Sequence, residues 1–332
     1  MNNKLKDISQ FKEIQQINAN SVTYLFKLND ERLCVCSHER KMEIFKYVDN
    51  TFIQQLTIPN YTYLITKIIQ LKKNNLITFP TDEGDINFVK ILDDSYEIQY
   101  KIKKNNKIFK NFQKYISFIE LTNSQIAVLV DDFDNHKILF YKYDDNSFKL
   151  ITILNLQKKK YRISLDIIEI PKLNLIAYYS NIGLYFYDLK NFEIKKSIEN
   201  IKGFEWNNTM ILYKDDYLIF GSMYASCNDD DKTFYLIKCS TYELIDSYLC
   251  KELDFMFCTA IKILNDNTIL CGFHMYDGYS KYVHIKIENE KIKIIGIKRL
   301  SNNEFDGEIC GIEQYNDIIV AGNRNRLIYL YK

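Results

Sequence analysis

Proline and glycine are scarce in this sequence. Three Pro and 10 Gly in 332 residues leave no Pro- or Gly-rich stretch to act as a linker, so one domain over residues 1–332 is expected. Trp206 is the only Trp. The 8 Cys contain no C-x-x-C pair, and their uneven spacing describes neither a zinc site nor a disulfide framework. Cys34, Cys36 and Cys271 lie within apolar runs and read as reduced core residues. No window approaches the roughly 18–20 apolar residues that span a bilayer. The start, Met1 to Lys6, has no apolar stretch of signal-peptide length. A cytoplasmic protein is expected. Charge of one sign is also lacking: 44 Lys plus Arg against 43 Asp plus Glu, net +1, which provides no global attraction to nucleic acid or anionic membrane. Helical 3.6-residue periodicity is nowhere sustained, which argues against a helical domain.

What the chain does have is a repeat. Hydrophobic residues make up 47% and aromatics 14%, chiefly 26 Tyr and 21 Phe, a composition suited to half-buried pleated surfaces. An apolar strand, a polar turn and a second apolar strand recur seven times. The first apolar residue after each turn is Leu33, Leu76, Ile126, Leu175, Leu218, Ile269 and Ile318, at spacings of 43, 50, 49, 43, 51 and 49. The spacing is that of a four-stranded propeller blade, about 40–45 residues, or slightly more. The turns read Asn29-Asp30, Asn74-Asn75, Asn123-Ser124, Leu173-Asn174, Asp215-Asp216, Asp266-Asn267 and Asn316-Asp317. Asn and Asp tolerate left-handed backbone and bond to their own main chain, as a tight hairpin requires.

A third, aromatic-rich strand follows in each unit, as in Ile138 to Tyr143 and Gly183 to Tyr187, and then a more polar fourth strand such as Phe148 to Ile153. We call these strands a, b, c and d, from the axis outward. The seventh unit reaches Lys332 straight after strand c. Phe11 to Ile17 precede the first strand a with no a, b or c of their own, and Ile14-Gln15-Gln16-Ile17 matches Ile53-Gln54-Gln55-Leu56 in strand d of unit 1. The N-terminal strand is therefore expected to complete the last blade and close a ring, removing the open sheet edges. The expected fold class is all-β: a seven-bladed β-propeller of four-stranded antiparallel blades.

The repeat resembles the WD-repeat family over essentially the whole chain. The nearest local match is the end of strand c, where that family has Trp-Asp and this chain has Tyr143-Asp144 and Tyr187-Asp188. Neither a Trp-Asp nor a Gly-His dipeptide occurs, so the family's His–Ser/Thr–Trp hydrogen-bonded set cannot be built. The resemblance is to a divergent, WD40-like group. It implies a rigid disc that binds other proteins. The ~50-residue spacings also suit kelch repeats, but the Gly-Gly signature of kelch is absent.

In such a disc the b–c and d–a loops share one face, the top. Two top-face d–a connections are basic. One carries Lys101, Lys103, Lys104, Lys107, Lys110 and Lys114 with Phe109 and Phe112. The next carries Lys158, Lys159, Lys160 and Arg162 with Tyr161. They border blade 3 from both sides and are expected to form one arc. Lys103, Lys104, Lys107, Phe109, Phe112, Lys158, Lys159, Lys160, Tyr161 and Arg162 are the candidate partner-binding residues. The alternative is a solvated rim in a Lys-rich chain.

Acidic b–c loops, Asp82 to Asp85, Asp131 to Asp134 and Asp229 to Asp231, share that face. None has the spacing of an EF-hand loop. His38, His136 and His274 belong to blades spread around the ring and read as exposed loop residues. No metal site and no cofactor are expected. A nucleophile elbow, a phosphate loop, H-E-x-x-H and a dinucleotide fingerprint are all missing. Strands a carry few carboxylates, Glu120, Asp166, Glu169 and Glu313, which either line the central channel for chemistry or are simply hydrated there.

The expected function is that of a non-catalytic protein-interaction scaffold, a subunit or adaptor of a larger assembly, whose partner offers an acidic segment. The competing expectation is a peripheral membrane adaptor that reads anionic headgroups through the basic arc. The Phe-Arg-Arg-Gly motif of phosphoinositide-binding propellers is absent. No nucleic acid and no small-molecule substrate are expected.

Overall fold

Twenty-eight strands account for nearly all regular structure in a computed structural model of the chain. The structure describes residues 12–18, 22–49, 51–59, 67–81, 83–104, 112–132, 136–144, 147–156, 164–180, 183–199, 201, 210–221, 232–253, 256–275, 280–299, 307–323 and 327–331. Two 3₁₀ turns, Pro171–Leu173 and Lys251–Leu253, are the helical elements among them.

The first strand is β1 (Glu13–Asn18). Blade 1 then follows as β2 (Val22–Lys27), β3 (Leu33–Ser37), β4 (Lys41–Val48) and β5 (Thr51–Pro59). Blade 2 is β6 (Ile69–Gln70), β7 (Ile77–Pro80), β8 (Ile86–Ile91) and β9 (Tyr96–Ile102). Blade 3 is β10 (Phe112–Glu120), β11 (Gln125–Asp132), β12 (Lys137–Asp144) and β13 (Ser147–Asn155). Blade 4 is β14 (Ser164–Ile170), β15 (Leu175–Ser180), β16 (Gly183–Asp188) and β17 (Ile194–Glu199). Blade 5 is β18 (Met210–Tyr213), β19 (Tyr217–Gly221), β20 (Phe234–Lys238) and β21 (Glu243–Tyr248). Blade 6 is β22 (Met256–Ile263), β23 (Ile269–Met275), β24 (Ser280–Glu288) and β25 (Lys291–Arg299). Blade 7 is β26 (Ile309–Tyr315), β27 (Ile318–Asn323) and β28 (Leu327–Tyr331), with β1 as its fourth strand.

The result is seven four-stranded sheets. Neighbouring strands pair antiparallel, and innermost strands of successive blades touch around the axis. All seven a–b turns hold a non-glycine residue at positive φ: Glu31, Asn75, Ser124, Asn174, Asp215, Asn267 and Asn316. Five of the seven are Asn or Asp, the types that pay least for that geometry.

The hydrophobic core lies between the blades. One cluster joins blades 1, 2 and 3, and the others each fill one seam in turn, ending with Val22 and Leu25 of blade 1 against Tyr315 and Val320 of blade 7. Strands b and c are therefore packed on both faces. Leu33 to Ser37 are buried without a break, as are Leu175 to Ser180. This is why those strands read as continuous apolar runs rather than alternating ones. Strands d have one open edge, and the exposed large hydrophobics Ile53, Ile98, Ile151 and Leu244 all sit there.

A bulge interrupts every outermost strand. In blade 1, Ile44 faces Leu56 and Phe45 faces Gln54, so Gln55 is left over. The same occurs at Gln99, Ile151, Lys195, Ile245, Ile295 and, in β1, Ile14. A bulge twists the strand and leaves an extra residue out of the ladder, which makes the open edge a poor template for another chain. It also corrects the alignment of the closing strand. The bulge equates Ile14 with Gln55, whereas the sequence match equated Ile14 with Ile53. The match identified the strand, while the register was decided by pairing with β28.

Seven cysteines fall among the described residues. All are free thiols, six are buried and Cys310 is half-buried. Burial pushes Cys239 and Cys250 up to about 12, helped by the charges of Asp216 and Glu252 respectively. Such thiols stay protonated and unreactive near neutral pH. A thiol reagent should therefore react readily with Cys310, leave the six buried thiols untouched in native protein, and count all 8 after unfolding without reductant. A count of six or fewer would mean that a disulfide forms.

Candidate functional site

The carboxylates on the innermost strands were the candidates for chemistry at the axis. Each is engaged within the protein. Glu120 on β10 accepts the main-chain N–H of Lys72 in blade 2 at 2.7 Å. Glu169 on β14 accepts the Thr122 N–H at 2.8 Å and its hydroxyl at 2.7 Å from blade 3. The same position in two other blades is Gln70, which accepts Asn29 N–H at 2.7 Å, and Gln314, which accepts Asn265 N–H at 2.8 Å. One side chain per seam thus binds the a–b turn of the preceding blade at four of the seven seams. These residues do not line a channel: they stand at the end of strand a, beside the neighbouring hairpin. Leu212 and Ile263 take this position in blades 5 and 6, and Lys27 takes it in blade 1 with its ammonium over the Tyr315 ring of blade 7.

Asp166 and Glu313 do face the axis, as ion pairs. Asp166, 1% exposed, accepts the Ser117 hydroxyl of blade 3 at 2.8 Å, and Lys67 of blade 2 lies 3.4 Å away. Glu313 of blade 7 pairs with Lys262 of blade 6 at 2.5 Å. Tyr24 of blade 1 stands near both. Burial pushes its phenol far above the ordinary range, and the charges of Glu313 and Asp166 add to the shift. Two ammonium groups and two carboxylates offset each other around the axis.

On the top face, the structure describes only part of the candidate arc. Lys103 is exposed and Lys104 half-buried. Phe112 opens β10, its backbone paired with Asp132. The side chain of Phe112, and Lys107, Phe109, Lys158, Lys159, Lys160, Tyr161 and Arg162 altogether, lie outside the described residues.

The acidic loop of blade 2 is brought against the start of the basic segment, a contact the sequence did not reveal. Asp85 accepts the Lys104 main-chain N–H at 2.8 Å, and the Lys101 ammonium lies 2.7 Å from its other oxygen. Burial alone would raise the Asp85 carboxyl. The bonds from Lys101 and Lys104, and the charges of Lys101 and Lys103, outweigh it and hold the group below the usual carboxylate range.

The reading of His136 and His274 as exposed loop residues is corrected. His136 Nε2 is 3.2 Å from Asp131, and its Nδ1 is 3.4 Å from the Tyr178 hydroxyl of blade 4. His274 lies within β23, 3.4 Å from the Ser280 hydroxyl. His284 on β24 was not singled out in the sequence, yet it is buried and 2.6 Å from the Thr268 hydroxyl, which donates in turn to Asp266. Among the described residues, no three His, Cys, Asp or Glu side chains converge as a metal site would require, and no helix is long and apolar enough to cross a membrane.

The fold is a β-propeller of seven four-stranded sheets, similar in shape to a WD40 domain. A chain of the crystal structure of the Mitotic Checkpoint Complex superposes with a TM-score of 0.72 at 7% identity, covering 99% of this chain and 96% of that one. The Neurospora crassa Pan2 WD40 domain superposes with a TM-score of 0.66 at 10% identity, covering 98% and 96%. At these identities the likeness is one of fold. No protein-family model matches the sequence, and a search of curated proteins finds no match.

Proposed function

We propose that this chain is a non-catalytic protein–protein interaction scaffold, a cytoplasmic subunit or adaptor that binds an acidic segment of its partner through the basic top-face rim. The observation that carries the reading is the disposition of charge. The axial carboxylates are consumed by Lys67, Lys262 and the adjoining blade, whereas Lys103 stands exposed on a rigid ring. The WD40-like fold supports it, since one neighbour of the same shape comes from a multi-protein complex. Loops on a rigid scaffold are where binding concentrates, and local charge raises the encounter rate with an oppositely charged partner. The membrane alternative gains no support from either neighbour.

The test is reversal of Lys103, Lys104, Lys158, Lys159 and Lys160 to Glu, with binding of a fluorescent Glu-rich peptide as the readout. The folded variant should lose salt-sensitive binding, while the change at the exposed Lys103 alters stability by no more than about 0.5 kcal/mol. Unchanged binding at the same salt concentration would show the rim to be merely solvated. Flotation with anionic vesicles but not with neutral ones, in the absence of peptide binding, would favour the headgroup reading instead.

A further inference from the structure

We propose that Asp85 is the positioning residue of this rim, and that the rim meets its acidic partner through Lys103 while Lys101, also exposed, is paired with Asp85. The inference rests on the function proposed above and adds a division of labour among its residues.

The turn from Thr81 to Asp85 joins strands b and c of blade 2. It is closed by Gly84 N–H to Thr81 O at 2.9 Å and Thr81 N–H to Asp85 O at 2.8 Å, with Gly84 at φ 83, in the left-handed region that glycine enters freely. This turn grips both ends of the basic connection. At the outgoing end, Asp85 takes the ammonium of Lys101, near the end of β9, and the N–H of Lys104 just past it. At the returning end, on β10, the buried Tyr115 hydroxyl donates to Gly84 O at 2.6 Å. Lys103 lies between the two residues that Asp85 holds. It is exposed and makes no ion pair with a described residue. A backbone fixed one residue away limits where the Lys103 stem can start, which lowers the ordering cost of binding.

The geometry makes a prediction opposite in sign to simple charge counting. Asp85 is a carboxylate beside a site for carboxylates. If only charge mattered, removing it would tighten the binding of an acidic peptide. If it positions the rim, removing it weakens that binding. Asp85→Ala removes charge and acceptor together, whereas Asp85→Asn keeps an acceptor for the Lys104 N–H.

We expect Asp85→Ala to weaken a Glu-rich peptide about tenfold and to speed amide exchange across residues 101–104 about tenfold, the size of one charge-assisted hydrogen bond. Asp85→Asn should fall between Asp85→Ala and the wild type in both readouts. Lys103→Ala should lose binding with exchange unchanged. Lys101→Ala should speed exchange and weaken binding less than Lys103→Ala. Equal or tighter peptide binding by folded Asp85→Ala would overturn the proposal, as would unaltered exchange. If wild-type protein does not bind the peptide, the proposed function fails and the recognition by Lys103 fails with it. The exchange measurement then still decides whether Asp85 anchors the connection, so the two failures are distinguishable.

Discussion

Deleting residues 1–18 should lower the melting temperature by roughly 5–10 °C and broaden the transition. The deletion removes β1, which pairs with β28 from Glu13 against Tyr331 to Asn18 against Leu327. Each ladder hydrogen bond contributes a net ~1 kcal/mol, so losing the strand costs about 3–5 kcal/mol. In a chain larger than 250 residues each kcal/mol is worth about 2 °C or slightly less. Ile17 also leaves the seam between blades 7 and 1, where it packs beside Val22, Tyr315 and Val320. Beyond these losses, the outer edge of β28 becomes an unpaired template, so concentration-dependent association should accompany the lower melting point. A synthetic peptide of residues 11–18 added in trans should recover part of the loss. A truncated protein that melts as high and as sharply as the full chain would show that β1 does not close the ring.

The second large effect is expected at Gly311. Ring closure depends on more than β1, because β2 of blade 1 also packs against β26 and β27 of blade 7. A methyl group at Gly311 would stand 2.9 Å from Leu25 Cβ, 2.9 Å from Leu25 O and 3.1 Å from Leu25 N. Two of those atoms belong to the backbone of β2, so no rotamer change relieves the contact and the strands must separate. Gly311→Ala should cost about 3 kcal/mol, the upper end of what overpacking typically costs. Gly322→Ala at the same seam is the informative contrast. Its added carbon meets Val22 Cγ1 at 2.8 Å and Leu25 Cδ1 at 3.2 Å, both side-chain atoms. Val22→Ala should therefore relieve part of the cost of Gly322→Ala and none of the cost of Gly311→Ala. Thermal melts of the single and double variants read this directly. Equal stability of Gly311→Ala and wild type would mean that the two blades are not in close contact there.

The repeat, the strand types and the turns are written in the chain itself. Leu33, Leu175, Ile269 and Ile318 each begin a strand b as the spacing implied, because a blade buried on both faces demands an apolar run at a regular interval. The Asn and Asp residues of the a–b turns are legible for a similar reason: a tight hairpin needs a left-handed residue, and few types accept it. The Glu and Gln residues that bind the preceding hairpin were partly legible. Glu120 and Glu169 were noticed as carboxylates on strands a, but their role appears only when they are aligned with Gln70 and Gln314, one position before the turn.

The tertiary structure alone decided the rest. Asp85 precedes β8 and Lys101 lies near the end of β9, and nothing periodic connects them; they meet because the antiparallel hairpin pairs Lys101 with Asn87 and returns the chain to the same edge. Asp166 finds Lys67 and Ser117 because three blades converge on one axis, bringing together residues separated by 99 and 49 positions. The closing strand was recognisable by its match to Ile53 to Leu56, whereas its register was not: pairing with β28 places Ile14 at the bulge position of Gln55, two residues from the sequence match. Local chemistry, which recurs in every repeat, is visible in the sequence. Contacts made once, between distant repeats, require the ring to be closed before they exist.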